Sequence, residues 1–188
     1  FDQIIVSTDD EEISEVARHW GADVPFYRPV ELADDLAGTT PVVAHAVQWF
    51  QDSGQEIAAV CCLYATAPFV EPSDIKRGLD LLAHTASHRF VFTATSYSSP
   101  IQRALRFDTA LGETSMWQPD NFSKRSQDLE PAYHDAGQFY WGRAQVWLHS
   151  QNLFEGSKPL ILPRWLVQDI DTQEDWLNAE LMWSALSE

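Results

Sequence analysis

Residues 57–64, Ile-Ala-Ala-Val-Cys-Cys-Leu-Tyr, form a continuous apolar run. A strand with one face in water alternates polar and apolar side chains. An unbroken run instead marks a central strand covered on both faces. Covering both faces takes helices, and the flanking sequence supplies them in alternation with further strands. Gln3 to Thr8 reads as a strand, after which Asp9 or Asp10 caps a helix with Ile13, Val16, Ala17 and Trp20 at helical spacing and Gly21 at its end. Asp23 to Tyr27 is a short extended piece leading into a polar loop through Gly38. Thr40 and Pro41 open a helix that buries Val43, Ala46, Val47 and Phe50 and stops at Gly54. Pro72-Ser73-Asp74 opens another, ending near His84, and Arg89 to Thr95 is a strand. Further on come a strand from Tyr133 to Trp141, a helix from Arg143 to His149, a strand from Leu160 to Gln168 and a helix from Thr172 to Leu186. Repeated strand–helix units predict an α/β fold with a mostly parallel sheet and right-handed crossovers.

The alternation breaks only between Ser96 and Gln127. This stretch holds Pro100, Gly112 and Pro119, a hairpin from Gln102 to Phe107 turning at Asp108 to Glu113, and the basic pair Lys124-Arg125. Its apolar residues Ile101, Leu105, Phe107, Met116 and Trp117 lie outside the core pattern. Such a patch rarely stays in solvent, so residues 96–127 are expected to form a contact between two copies of the chain.

At 188 residues and 45% hydrophobic content, residues 1–188 are expected to fold as a single domain. There is no apolar run of membrane length and no signal peptide, which sets a cytoplasmic, membrane-free protein as the expectation. The formal charge is −16, with 28 acidic against 12 basic residues. A body this acidic repels a nucleic-acid backbone, and its Lys and Arg are scattered rather than striped. A nucleotide stays compatible, provided a metal and a few local cations neutralise it. Cys61 and Cys62 are adjacent in the apolar run and would point to opposite faces of a strand, so they are expected as buried reduced thiols. His84 and His88 have the i, i+4 spacing of a helical metal pair but no third ligand. A helix end that favours His is the competing explanation. Phe1 stands directly before a strand that needs neighbours on both sides, so a further N-terminal segment is expected.

The run with the most chemistry is Gln168-Asp169-Ile170-Asp171-Thr172, which follows the final strand. On a strand, residues two apart face the same side, so both carboxylates would point one way and Ile170 the other. Thr172 fits a helix N-cap, with Asp175 in capping-box position. Two carboxylates at the carboxyl edge of a strand suit a hard divalent cation with open positions for phosphate oxygens. One capping Asp and one solvated loop Asp is the alternative.

Several runs fall at strand ends in a fixed order. They are Val6-Ser7-Thr8-Asp9; Arg28-Pro29 with Leu32-Ala33 and Asp35; Thr66-Ala67-Pro68; Arg125-Ser126-Gln127; Gly137-Gln138-Phe139-Tyr140; and Asp169-Ile170-Asp171. Together they resemble the CMP-nonulosonate synthetases, cytidylyltransferases that activate sialic-acid-type sugars with CTP. Cys61 to Phe69 and Tyr133 to Trp141 are most similar to the pseudaminic acid branch, in which Tyr64 replaces a Gln and Ala136 an Asn of the sialic-acid enzymes. A hydroxyl-for-amide exchange of this kind is a specificity device.

The resemblance implies a three-layer αβα, Rossmann-like nucleotide-diphospho-sugar transferase fold, lacking here the basic nucleotide loop that would lie upstream of Phe1. A fragment without that loop is expected to be inactive alone. The implied reaction is attack of the sugar's anomeric hydroxyl on the α-phosphate of CTP, with pyrophosphate leaving and Mg2+ held by Asp169 and Asp171. By the same resemblance Arg28 and Thr39 contact the cytidine. Tyr64, Tyr133, Gln138 and Phe139 line the sugar pocket, with ordinary core as the alternative for the aromatic rings. Arg125 pairs with the sugar carboxylate or a phosphate, Arg103 stands in for a family Lys, and Gln127 joins the sugar side. Partners are therefore CTP, an acidic nine-carbon sugar and a second copy of the chain. His134 is the general-base candidate by residue type only. Rival readings are a sialic or legionaminic acid synthetase, a non-catalytic sugar-nucleotide-binding protein, and a D-x-D glycosyltransferase.

Overall fold

The computed structural model describes residues 1–34, 36–86, 89–150 and 152–187. Asp35 of the second family run and His88 of the helical His pair lie outside them. In chain order, α1 spans Glu11–His19, α2 Thr39–Asp52, β1 Ala59–Leu63, α3 Pro72–Ala83, β2 Val91–Ser96, β3 Leu105–Asp108, β4 Glu113–Met116, β5 Tyr133–Arg143, α4 Ala144–His149, β6 Lys158–Ile161 and α5 Gln173–Leu186.

The main sheet has the order β1-β5-β2-β6, and β3 pairs with β4 in a separate hairpin. β5 is antiparallel to β1 and β2, whereas β2 and β6 are parallel. β1, β2 and β6 therefore point the same way, as expected, and β5 alone is reversed between them. This arrangement brings the carboxyl ends of β1, β2 and β6 and the amino end of β5 to one edge. In β5 the register shifts opposite Phe92 and Ala94, which pair with Tyr140 and Asp135. The extra residues include Gly137, whose φ is +62°. A bulge of this kind re-aims side chains beside a site.

Helices cover both faces, but β1, expected as a central strand, stands at the edge of the sheet with β5 as its one partner among the described strands. Val43 and Val47 of α2 and Val146 and Trp147 of α4 pack with Phe90 and Tyr140 on one face. On the other, Leu82 of α3 meets Val91, Phe139, Trp141, Leu160 and Leu162. Cys61 packs on the α3 face and Cys62 on the α2 face, as strand alternation requires. Both are unpaired, and burial pushes each thiol up to about 12, so they stay protonated and unreactive. Gly78 lets α3 approach the sheet: a Cβ there would lie 2.7 Å from the Trp141 ring.

Two further strand expectations change. Residues 4–8 form only isolated parallel bridges, Ile5 to Asp23 and Thr8 to Tyr27, so that stretch pairs with the extended piece after α1. The strand expected to reach Gln168 ends at Ile161. Pro163 cannot extend a ladder, and Arg164–Leu166 instead make a 3-10 turn in which the Leu166 amide donates to the Pro163 carbonyl at 3.0 Å. No helix among the described residues is long and apolar enough to cross a membrane.

Candidate active site at the strand ends

Asp169 and Asp171 therefore sit on a loop after a 3-10 turn, not on a strand. Fixed backbone and side-chain bonds hold that loop. Thr172 caps α5 and forms a full capping box with Asp175. The Asp175 carboxylate accepts from the Thr172 amide at 2.9 Å, the Asp171 amide at 3.3 Å and the Gln168 amide group at 3.2 Å. Hydrogen bonds from Thr172 first, with those from Asp171 and Gln168, hold the Asp175 carboxyl below its usual range. Gln168 also donates to the Asp169 carbonyl at 2.8 Å.

Asp169 is directed into the sheet edge. Its Oδ1 accepts from the Ile170 amide at 3.1 Å and from the Thr66 hydroxyl, beyond the end of β1, at 3.5 Å. Its carboxylate lies against Gly137, where a Cβ would fall 2.8 Å from Oδ2. Partial burial pushes the Asp169 carboxyl up, reinforced by the charges of Asp171 and Asp135. Three anions thus converge on one edge, and a cation there would relieve their repulsion. Among the described residues no group of three or more His, Cys, Asp or Glu is arranged to hold a metal unaided. A cation at Asp169 and Asp171 would need further oxygens from a substrate.

A chain of hydroxyls runs beneath this edge. The Thr39 hydroxyl, in the first turn of α2, hydrogen bonds the Tyr64 hydroxyl, and the Tyr64 ring lies 5.1 Å from that of Tyr140. Tyr140 donates to Asp135 Oδ2, while Asp135 Oδ1 accepts from the Gly137 amide at 3.1 Å. Burial, then the Asp135 bond and charge, push the Tyr140 phenol up, so it stays protonated and can donate to Asp135. Sequence reasoning missed Asp135 and Tyr140. Both lie inside the Tyr133–Trp141 run, and the available signal was a carboxylate two residues before a bulge glycine.

The remaining expected residues divide between this edge and other places. Arg28 donates through Nε to the Ser7 hydroxyl at 3.2 Å and through Nη2 to the Ser7 carbonyl, which fixes it to the extended segment before α1. Phe139 is fully buried among Leu82, Val91 and Trp141, on the far side of the sheet from Tyr140. It belongs to the core, in phase with Trp141 by ordinary strand alternation. Gln138 is also buried, its amide turned inward to the Leu166 carbonyl at 2.6 Å. Tyr133 is exposed at the start of β5 and paired with Ser96.

Arg125 is exposed and forms a bidentate pair with Asp128 at 2.8 and 3.1 Å. Gln127 is exposed in the same 3-10 turn, Ser126–Asp128. Arg103 and Ser126 line an open groove of about 540 Å³ with Tyr97 and Ser98 to Ile101. His134 packs on Tyr97 at 4.8 Å, and its Nδ1 lies 2.8 Å from the Asp135 carbonyl, a structural arrangement. His84 Nδ1 lies 2.9 Å from the Asp80 carbonyl at the end of α3. A roomier cleft of about 690 Å³ opens beside Thr39 and Pro41 toward Leu153 and Phe154, and among the described residues no acidic side chain lines it.

Residues 1–111 match the cytidylyltransferase family. A pseudaminic acid cytidylyltransferase of Campylobacter jejuni is 41% identical over 184 residues, 97% of this chain and 78% of that protein. A CMP-N,N'-diacetyllegionaminic acid synthase of Legionella pneumophila is 28% identical, over 95% of this chain and 77% of its own length. Among solved structures, CMP:2-keto-3-deoxy-manno-octonic acid synthetase complexed with CTP superposes with a TM-score of 0.63 at 12% identity, covering 97% of this chain and 81% of that one. This likeness shows the α/β fold.

Proposed function

This chain belongs to the cytidylyltransferase family, and on that premise we propose that it transfers CMP from CTP to the anomeric hydroxyl of a nonulosonic acid, releasing pyrophosphate. Pseudaminic acid is the favoured acceptor. The observation that carries this choice is the higher identity to the Campylobacter jejuni pseudaminic acid enzyme than to the legionaminic acid synthase, over the same span of chain. Tyr64 and the Ala136-Gly137-Gln138 run, which set the strand edge, are the branch residues that agree with it.

Nucleotidyl transfer relies on positioning and on neutralising the charge of the triphosphate. The oxygen-only donor set of Asp169 and Asp171, one carboxylate tied to Thr66 and the other's backbone to Asp175, fits magnesium, which keeps several positions for waters and phosphates. Magnesium would supply charge neutralisation at the phosphate oxygens. Arg28 and Thr39 orient the nucleotide from the α1 and α2 side. Tyr64, joined to Thr39, stands where nucleotide and sugar meet. Gly137 leaves room for the Asp169 carboxylate, and the capping box fixes the direction of Asp171.

Arg103, Arg125 and Gln127 belong to the acceptor side through the 96–127 region. Its hairpin exposes Leu105, Phe107 and Trp117, a surface suited to a second copy of the chain. Arg125 reaches the sugar carboxylate only by exchanging its bond to Asp128, so acceptor binding is expected to reorganise this segment.

The test is pyrophosphate release from CTP with magnesium and a panel of pseudaminic, N-acetylneuraminic and legionaminic acids. The fastest release is expected with pseudaminic acid. Preference for another acid would reassign the acceptor, and no release with any acid would overturn the reaction.

A further inference from the structure

Gln138 stands where three segments meet. It is 1% exposed, on the bulged part of β5. Its backbone carbonyl accepts from the Tyr64 amide at 2.9 Å, just past the end of β1. Its side-chain Nε2 donates to the Leu166 carbonyl at 2.6 Å, and Leu166 closes the 3-10 turn that leads into Asp169 and Asp171. The far end of the same loop is held separately, by Gln168 and the Asp175 capping box. The loop is thus fastened at both ends, and the buried fastening is Gln138. The residue before it, Gly137, is the surface on which the Asp169 carboxylate rests.

Only half of this amide is used within the chain. Among the described residues no group donates to the buried Gln138 Oε1. A buried acceptor left without a donor is unfavourable, and an apolar side chain of similar length would avoid it. The Leu166 carbonyl fixes the orientation of the amide, because the opposite orientation would set two oxygens against each other.

We propose that Gln138 is a positioning residue for the cation-holding loop, acting through the Leu166 carbonyl on Asp169 and Asp171 rather than by touching the sugar. The inference rests on the proposed role of Asp169 and Asp171. Because its backbone holds the end of β1 and its side chain holds the Asp169 loop, one buried residue sets the spacing between Tyr64 and the two carboxylates.

The test is Gln138→Met in the full chain, with Asp169→Asn as a parallel variant. Gln138→Met is expected to fold with a melting temperature near that of wild type, the bond lost at Leu166 being offset by removal of the unmatched buried oxygen. Its turnover should fall roughly tenfold to a hundredfold, as for other groups that orient metal ligands, with the sugar KM little changed. Manganese binding in the presence of CTP and the absence of sugar should weaken, and the Asp171 and Thr172 amides should exchange faster. A raised sugar KM with unaltered manganese binding would overturn the proposal, as would wild-type behaviour in every measurement. If Gln138→Met does not fold, Gln138→Leu read by amide exchange carries the same expectation, and unaltered exchange overturns it. Inactive Asp169→Asn beside normal Gln138→Met rejects only this inference, whereas normal turnover in Asp169→Asn removes the cation pair and this inference with it.

Discussion

Around Asp169 the loop's amides and the Gln168, Thr66 and Gln138 side chains donate to acceptors within the chain. The Asp171 and Thr172 amides and the Gln168 side chain all end on Asp175, Thr66 reaches Asp169, and Gln138 holds Leu166. The hairpin of β3 and β4 is held differently. Its strands bond to each other, the Trp117 amide donates to Ala104, and the Arg106 guanidinium lies 4.1 Å over the Trp117 ring. Leu105, Phe107 and Trp117 are nonetheless 62%, 64% and 58% exposed, so their packing is incomplete within one chain. A loop fastened from inside can present two carboxylates at a fixed spacing, the condition for electrostatic catalysis. A surface of exposed rings becomes fixed only when something covers it. The residues assigned to phosphate chemistry lie in the first region, and Arg103, Arg125 and Gln127, assigned to the acceptor, lie in or beside the second.

Gly137→Ala should disturb the fastened region most. Its φ of +62° disfavours any side chain, and the added methyl would meet the Asp169 carboxylate. Strain of about 1–3 kcal/mol is expected in the melting transition, with loss of most turnover because Asp169 must move. A variant with normal activity would show that Asp169 needs no fixed seat. Leu105→Asp with Trp117→Asp should convert a dimer to a monomer by light scattering, with the helical circular dichroism signal retained. A wild-type chain that stays monomeric at micromolar concentration would remove the proposed contact.

Tyr64→Gln tests where the two regions meet. The ratio of rates with pseudaminic and N-acetylneuraminic acids should shift by roughly tenfold, as for a changed hydrogen-bonding partner, while the CTP KM stays nearly constant. A changed CTP KM with unaltered sugar preference would move Tyr64 to the nucleotide side, a result its bond to Thr39 makes worth measuring.

The smallest effect concerns pH. Asp175 has its folded pKa depressed below the ordinary 3.8, so its contribution to stability is present above that value and lost as pH falls through the lower folded value. Asp175→Asn should slightly lower the melting temperature at neutral pH and flatten its fall below about pH 4. An unchanged acid profile would mean that the capping box is open in solution.

The features legible in the sequence were those set by local chemistry. Asp10 caps α1 by accepting from the Ile13 amide at 2.9 Å, Thr172 and Asp175 form their box, and the β3–β4 hairpin turns through Gly112 at φ +69°. The apolar run around β1 foretold helices on both faces, but not its place: β1 lies at the sheet edge rather than the centre, with none of its residues fully buried. Long-range pairing was not legible. Nothing local marks β5 as the reversed strand, and the pocket role that the resemblance gave Phe139 meets a ring buried in the core. Pro163 did announce the early end of β6. The hydroxyl chain from Thr39 through Tyr64 and Tyr140 to Asp135 joins residues far apart in sequence, so only folding brings it together.

The most direct measurement is the rate of pyrophosphate release by Asp169→Asn and Asp171→Asn, at limiting and at saturating magnesium. Asn keeps the side-chain shape and still caps helices, so a purely structural role for either carboxylate predicts little change. The fastened-loop account predicts a loss of roughly a hundredfold or more in each variant, partly recovered by high magnesium. Normal turnover of both variants at limiting magnesium would contradict it.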